Sequence, residues 1–135
     1  MTLTPRRLLI ALPVLTAALA ACQTSGSGPG NISVSSQDAA LPTMERIALA
    51  ANKCWFKGAD RAFRAYRLAP ELNSFSGRPR ILIVPGGRPQ DRPLAVIEAQ
   101  GTPATVSAYG PLMSQSAGNR IAADTRRWAG GGSSC

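Results

Sequence analysis

Because the sequence contains no histidine, its seven carboxylates are the first candidates for acid–base chemistry. Two carboxylates placed on either side of a glycosidic bond form the usual catalytic pair of glycosidases. Glu71 and Glu98 are the best candidates, and Glu98 interrupts an apolar run from which we expect it to face water. Asp124 has Arg120 and Arg127 within helical reach, so an ion pair explains Asp124 without catalysis.

The missing histidine removes several classes of site. Ser–His and Cys–His nucleophilic systems and histidine-ligated zinc or copper sites all need that side chain. Three cysteines are too few for a four-cysteine zinc site, and the acids are scattered singly instead of clustered as in a calcium loop. We therefore expect no metal, no cofactor and no enzymatic activity.

Basic residues are concentrated between Lys53 and Arg92. This stretch holds nine Lys and Arg residues against three acids, a net charge of +6. A segment of this kind produces a positive potential that attracts anions. The alternative is a solvated basic surface that only aids solubility. The candidate anion-binding residues are Arg61, Arg64, Arg67, Arg78 and Arg80.

Two segments have the apolar period of an amphipathic helix. The first begins near Thr43, whose hydroxyl can cap it, and ends at Gly58. The second begins at a cap on Ser116 and ends at the glycines 130–132. The predicted buried stripes are Met44, Ile47, Ala48, Ala51, Cys54 and Trp55 in the first helix, and Ala117, Ile121, Thr125 and Trp128 in the second.

The segment between the helices has the composition of several strands. Short apolar or β-branched runs are separated by Gly and Pro residues. Strands joined by short connections usually lie side by side and antiparallel. The sequence therefore predicts a two-layer α+β domain, an antiparallel meander of three to four strands with an N-terminal and a C-terminal helix packed on one face. The predicted strands are 65–68, 81–84, 94–99 and 104–109.

The N-terminus has the parts of a signal peptide. Arg6 and Arg7 give it a positive charge, and residues 8–21 form an uncharged apolar run. At 14 residues this run is too short to span a bilayer stably. The composition predicts export from the cytoplasm, so nucleic acid is not an expected partner.

The apolar run ends in Leu-Ala-Ala-Cys at 19–22, which resembles the lipobox of bacterial lipoproteins. The resemblance implies that residues 1–21 are removed and that Cys22 carries diacylglycerol on its thiol. In many bacteria the freed amine is then acylated as well. Gln23 in place of aspartate implies sorting to the outer membrane, on its periplasmic face, in preference to the inner membrane. The alternative is an ordinary secretory signal that leaves Cys22 a free thiol.

Residues 22–40 are rich in Gly, Ser and small polar residues, which is typical of a flexible tether. The sequence thus divides into a signal peptide at 1–21, the lipidated cysteine with its tether at 22–40, and a small periplasmic domain at 41–135. A coil of this length has a root-mean-square span of roughly 20–25 Å. We expect the domain to sit clear of the lipid headgroups.

The lipoprotein resemblance also bears on the two remaining cysteines. If Cys22 is lipidated, Cys54 and Cys135 are left in an oxidising compartment, where a disulfide is expected. The alternative, a reactive thiol, lacks both a C-x-x-C pair and a histidine to activate it. We predict that the bond joins the first helix to the C-terminal tail.

Taken together, these features predict a non-enzymatic envelope lipoprotein. Its domain would be an accessory or scaffold whose basic face docks on an anionic envelope component such as a lipid headgroup, peptidoglycan or an acidic protein. The alternative is a small cell-wall hydrolase or lyase that uses Glu71 and Glu98.

Overall fold

The structure, a computed structural model, describes residues 28–135. The predicted signal peptide and the predicted lipidation site at Cys22 lie outside the described residues. The elements are β1 (Ile32–Ser35), α1 (Ala40–Ala51) with a π-helical turn after it (Asn52–Lys57), a 3-10 turn (Arg61–Phe63), β2 (Tyr66–Glu71), β3 (Arg80–Pro85), β4 (Ala95–Gln100), β5 (Thr105–Tyr109), a second 3-10 turn (Pro111–Ser114) and α2 (Ser116–Ala129).

The strands form one antiparallel sheet in the order β1-β5-β4-β3-β2. The predicted α+β class is confirmed, and β2 to β5 make the predicted meander. The sheet has five strands instead of three to four, because β1 pairs with the outer edge of β5. Ile32 lies opposite Ala108 and Ser35 lies opposite Thr105.

One face of the sheet is buried under both helices. In β4, Ala95, Ile97 and Ala99 are buried, while Val96 and Glu98 between them lie on the other face. This two-residue period is that of an antiparallel strand with one face on the core. Burying a large apolar side chain contributes roughly 1.5–3 kcal/mol, so the helix-covered face supplies most of the stability.

The first helix begins at Ala40, three residues before the predicted start. Thr43 is not its cap. It is buried within the helix, and its Oγ1 lies 2.9 Å from the Oγ of Ser36, so it fastens the helix to the end of β1. The predicted apolar stripe is confirmed, since Met44, Ile47, Ala48, Ala51, Cys54 and Trp55 are all buried.

The second helix also buries its predicted stripe, with Ala117, Ile121, Thr125 and Trp128 all inaccessible or nearly so. Ser116 is its first residue and makes no cap. Ala122, which the helical period places on the opposite side, is buried as well. The apolar face of α2 is therefore broader than its stripe, because this helix packs against both α1 and the sheet.

The prediction of a flexible tether over residues 22–40 is wrong for part of this segment, which is structured. Ile32–Ser35 is a strand, and its Ile32 and Val34 pack against the core. The backbone is held even earlier, because the N–H of Gly30 donates to the carbonyl of Met113 at 3.0 Å. Only four residues alternate in β1, too few to stand out within a Ser- and Gly-rich segment.

The C-terminal tail returns to the first helical segment. The sulfur atoms of Cys54 and Cys135 lie 2.07 Å apart, the distance of a disulfide bond, as the sequence predicts for this pair. The indole N–H of Trp128 donates to the carbonyl of Ser134 at 2.8 Å. The tail is therefore attached to both helical segments, through Cys54 and Trp128. Within residues 28–135, no helix has the length and apolar content needed to cross a membrane.

Candidate functional site

One end of the sheet carries the β3–β4 loop, the segment that leads into β2 and the segment that follows β5. Consecutive strands of the meander alternate in direction, so the start of β2, the end of β3, the start of β4 and the end of β5 lie together. The start of β1 completes this end, since Ile32 lies opposite Ala108 near the end of β5. We call it the arginine end, because it carries Arg61, Arg64, Arg67, Arg88 and Arg92.

Arg61 and Arg64 are positioned by the 3-10 turn that precedes β2. A side-chain oxygen of Asp60 accepts a backbone hydrogen bond from the turn at 3.0 Å and caps it. The ring of Phe63 is buried and stacks on that of Trp55, with the ring centroids 4.6 Å apart. This anchor fixes the turn, and the arginines on either side of Phe63 remain exposed.

Arg67 lies on the helix-free face of β2, where it is exposed. In the described part of the chain, the guanidinium groups of Arg61, Arg64 and Arg67 have no carboxylate within 4.0 Å. Three predicted anion-binding residues therefore share one end of the sheet without an acidic partner.

Arg78 and Arg80, the other two predicted residues, lie at the opposite end of the sheet. Arg78 is 3.3 Å from Glu98, and Arg80 is 2.6 Å from Glu71. Glu71 comes four residues after Arg67 in β2, a distance of about 13 Å at the strand rise of about 3.3 Å per residue. The five predicted residues therefore do not form one surface. Arg78 and Arg80 lie away from the other three, and each is paired with a glutamate.

The carboxylates proposed for the alternative hydrolase lie in one row across the helix-free face. Glu71 is opposite Arg80, which is in turn opposite Glu98. The side chain of Glu98 is only 15% exposed. The pKa of Tyr109 is raised above its usual value, first by burial and then by the charge and hydrogen bond of Glu98, against smaller effects of the two arginines. Both glutamates are therefore ion-paired with arginines at this end of the sheet.

A pocket of about 270 Å³ lies beside the arginine end, lined largely by aromatic rings. Trp55 and Phe63 are buried in its wall, while Arg64 is exposed at its edge. The π-helical turn ends next to it, and Ala59 has a φ of 54°, which is uncommon for a residue with a side chain. The pocket belongs to the same structural unit that positions Arg61 and Arg64.

The predicted ion pairs of Asp124 are confirmed. Its carboxylate is fully buried and lies 2.6 Å from Arg120 and 2.8 Å from Arg127. It also accepts a hydrogen bond from the indole of Trp55 at 2.7 Å. The hydrogen bond that Arg120 donates to the carboxylate of Asp124 raises the pKa of Arg120, and the charge of Asp60, 3.7 Å away, adds to the effect. Arg120 is only partly buried, but these carboxylates neutralise it, so it is not one of the unpaired arginines.

Two loop arginines were not singled out from the sequence. Arg88 and Arg92 reach the arginine end because the β3–β4 loop folds beside the start of β2, with the N–H of Gly86 donating to the carbonyl of Ala65 at 2.8 Å. Arg88 is 3.2 Å from Asp91, whereas Arg92 has no ion pair among residues 28–135. The predicted meander, which places strands 65–68 and 81–84 side by side, was the signal that could have included them.

An apolar groove of about 550 Å³ lies on another side of the domain, between α1 and β2. Leu49 projects from the helix there and is 74% exposed. Among the described residues, no group of three or more Cys, Asp or Glu side chains is placed to hold a metal ion. Comparison with models of known protein families, with curated proteins and with solved structures finds no match for this chain.

Proposed function

We propose that the chain is a non-enzymatic lipoprotein of the bacterial envelope, anchored through acyl chains on Cys22 to the periplasmic face of the outer membrane. Its folded domain is an accessory or scaffold module that binds an anionic envelope component through a positive surface. The observation that carries the proposal is the exposure of Arg61, Arg64 and Arg67 at one end of the sheet without an acidic partner among residues 28–135.

Electrostatics supports an external anion at this position. Like charges on adjoining segments repel one another, and in the described structure these three side chains make no hydrogen bond that would offset the repulsion. A guanidinium group binds a phosphate or carboxylate through two parallel hydrogen bonds. Binding an anion would therefore relieve the repulsion and satisfy the exposed donors.

The anchor is tested by intact mass spectrometry of the protein purified from its native membrane. We expect a chain that begins at Cys22 and carries two or three acyl chains. Two acyl signals give stable membrane attachment, whereas one gives only marginal binding. An unmodified chain beginning at Met1 would refute the anchor, and with it the compartment on which the choice of partner depends.

The positive surface is tested by passing the lipidated protein, in neutral detergent, over immobilised wall fragments and immobilised anionic phospholipid. The informative variant is Arg64→Ser/Arg67→Ser. Its matched control is Lys53→Ser/Arg126→Ser, which removes the same charge from two exposed positions in the helical segments.

We expect the wild-type protein and the control to be retained at low salt on at least one of the two matrices. The Arg64→Ser/Arg67→Ser variant should bind about tenfold or more weakly, since each arginine near an anionic surface contributes about 1 kcal/mol. Equal retention of the two variants would show that only net charge matters, and the proposal of a specific surface would fail.

A further inference from the structure

The chain between the proposed lipidation site and the domain is shorter than the 22–40 tether expected from the sequence, which would have kept the domain clear of the lipid headgroups. The backbone at Gly28 already packs closely on the second 3-10 turn and the residue after it, where an added Cβ would lie 2.3 Å from the carbonyl oxygens of Met113 and Gln115. Gly30 is hydrogen-bonded to Met113 two residues later. Six peptide units join Cys22 to Gly28, and even fully extended they reach about 20–22 Å at most.

The chain enters the domain at the arginine end. Ile32 at the start of β1 lies opposite Ala108 near the end of β5, which is the end of the sheet where β2 starts. The first and last strands of the sheet are four spacings apart, about 19 Å at about 4.8 Å per strand. The entry point and Arg67 therefore occupy two corners of the same end.

The arginine end differs from the opposite end of the sheet in whether its arginines are paired with carboxylates. Arg61, Arg64, Arg67 and Arg92 have no carboxylate partner in the described region. At the opposite end of the sheet, Arg78 is neutralised by Glu98 and Arg80 by Glu71. A short tether holding this unpaired positive end near a bilayer would bring it against whatever charge the bilayer surface carries.

We propose that the arginine end docks on the anionic phospholipid headgroups of the membrane in which Cys22 is anchored. The inference rests on the proposed lipidation and names the anionic partner. The interfacial layer of a bilayer is about 5–8 Å deep on each side, so the short tether keeps the arginine end at or near that layer. Wall polymer would have to enter between the domain and the membrane to reach the same side chains.

Docking of this kind adds an electrostatic attachment to the acyl anchor. Stable anchoring by one lipid group plus a basic patch is a known combination. About 1 kcal/mol per arginine corresponds to roughly a fivefold gain in membrane affinity for each headgroup contact. The domain would be oriented with its arginine end on the headgroups and its opposite end, with the paired Arg78 and Arg80, toward the periplasm.

The test uses the lipidated full-length mature protein in vesicles of phosphatidylcholine, with or without phosphatidylglycerol. Exposed arginines are modified with phenylglyoxal, and the rate at each site is read by mass spectrometry. We expect Arg61, Arg64, Arg67 and Arg92 to react about threefold or more slowly in the anionic vesicles than in the neutral ones, and about 0.5 M NaCl should abolish the difference. Arg78 and Arg126 are the internal references and should react equally in both.

The Arg64→Ser/Arg67→Ser variant separates docking from a general effect of charge. Its remaining Arg61 and Arg92 should lose most of their protection in anionic vesicles, while Lys53→Ser/Arg126→Ser should keep it. The inference is overturned if labelling of the arginine end is the same in both vesicle types, or if the references are protected instead. Protection that requires added wall fragments in neutral vesicles would also overturn it, in favour of a wall partner.

The two proposals fail differently. A protein purified from its native membrane without acyl chains would refute the anchor, and the proposed function would fall. A lipidated protein that is retained by vesicles, but whose arginine end labels freely, would leave the anchor intact and refute only the docking.

Discussion

At the scale of single residues, the buried carboxylate of Asp124 is a contact point between the two helical segments. It joins α2 to the π-helical turn through Trp55 and is flanked by Arg120 and Arg127. Helical spacing predicts the two arginine contacts, because residues three and four apart share a helix face. The contact with Trp55, 69 positions away in sequence, has no such local signal.

Replacing Asp124 with Asn should lower the free energy of unfolding by about 1–3 kcal/mol, because charge-assisted hydrogen bonds in a buried site are lost. Urea denaturation followed by tryptophan fluorescence measures the change. Glu45→Gln on the exposed side of α1 is the control and should stay within about 0.5 kcal/mol of wild type. Equal stabilities of the two variants would contradict the structural role of Asp124.

Tyr109 should ionise above the ordinary tyrosine pKa of 10.0, because it is partly buried and hydrogen-bonded to Glu98. In a Tyr66→Phe background, the absorbance of the phenolate reports Tyr109 alone. Glu98→Gln should move the pKa of Tyr109 down toward the usual value, whereas Glu71→Gln should have little effect.

The stability that follows from this shift has a defined pH window. A pKa that is raised on folding stabilises the fold fully below about pH 10 and loses its contribution as the pH rises through the folded-state pKa. Glu98→Gln should therefore show a smaller loss of stability at alkaline pH than wild type. A larger loss in the variant would mean that Glu98 does not hold the tyrosine in its neutral form.

At the scale of elements, the strand β1 and the C-terminal tail are the parts that close the domain. β1 covers the edge of β5 and packs Ile32 and Val34 on the core. The tail brings Cys135 to Cys54, over a separation of 81 residues. The β1–β5 pairing and the disulfide both join residues that are distant in sequence.

The double variant Ile32→Ser/Val34→Ser should destabilise the domain by about 2–4 kcal/mol, since two partly buried apolar side chains leave the core. Ser33→Ala/Ser35→Ala changes the exposed face of the same strand and serves as the control, with an expected effect within about 0.5 kcal/mol. Thermal unfolding distinguishes them. If both double variants unfolded like wild type, β1 would be a tether after all.

Cys54→Ala/Cys135→Ala should lower the free energy of unfolding by about 4–5 kcal/mol, the chain-entropy value for a loop of this length. Chemical denaturation measures the loss. Intact mass under non-reducing conditions, compared with the reduced protein, shows whether the bond is formed in the native material. Two free thiols in protein taken from the envelope would contradict the predicted pairing.

At the scale of the whole molecule, charge is distributed unevenly over the two ends of the sheet. Glu71 and Glu98 neutralise the arginines of one end, while the other end keeps Arg61, Arg64 and Arg67 free of acidic partners in the described chain. The entry point of the chain lies on the unpaired end. An asymmetric domain on a short tether has a preferred orientation at a charged surface.

The unpaired arginines should contribute to binding and not to folding. Arg64→Ser/Arg67→Ser is expected to unfold within about 0.5 kcal/mol of wild type, because both side chains are exposed and mutually repulsive. Arg80→Ser, which breaks the pair with Glu71, should be the more destabilising change of the two. A large loss of stability in the double variant would mean that these arginines support the fold.

Local patterns predicted much of the architecture. The apolar period of α1 and α2 identified every residue of their predicted stripes as buried, because a helix face is set by residues three and four apart. The β-branched run in β3 and the apolar run in β4 were likewise sufficient to predict strands. β1 was missed because four residues of alternation in a Ser-rich segment are a weak signal without knowledge of the β5 edge that pairs with them.

The sequence alone determined the element types, the fold class and the presence of an arginine-rich stretch, since these depend on composition and short-range periodicity. Only the tertiary structure decided which arginines are free. Strand register, a relation between residues far apart in the chain, pairs Arg78 and Arg80 with glutamates and collects Arg61, Arg64 and Arg67 at the end where the chain enters. Periodicity carries no information on register between distant segments, so the charge asymmetry could not be seen before the sheet was assembled.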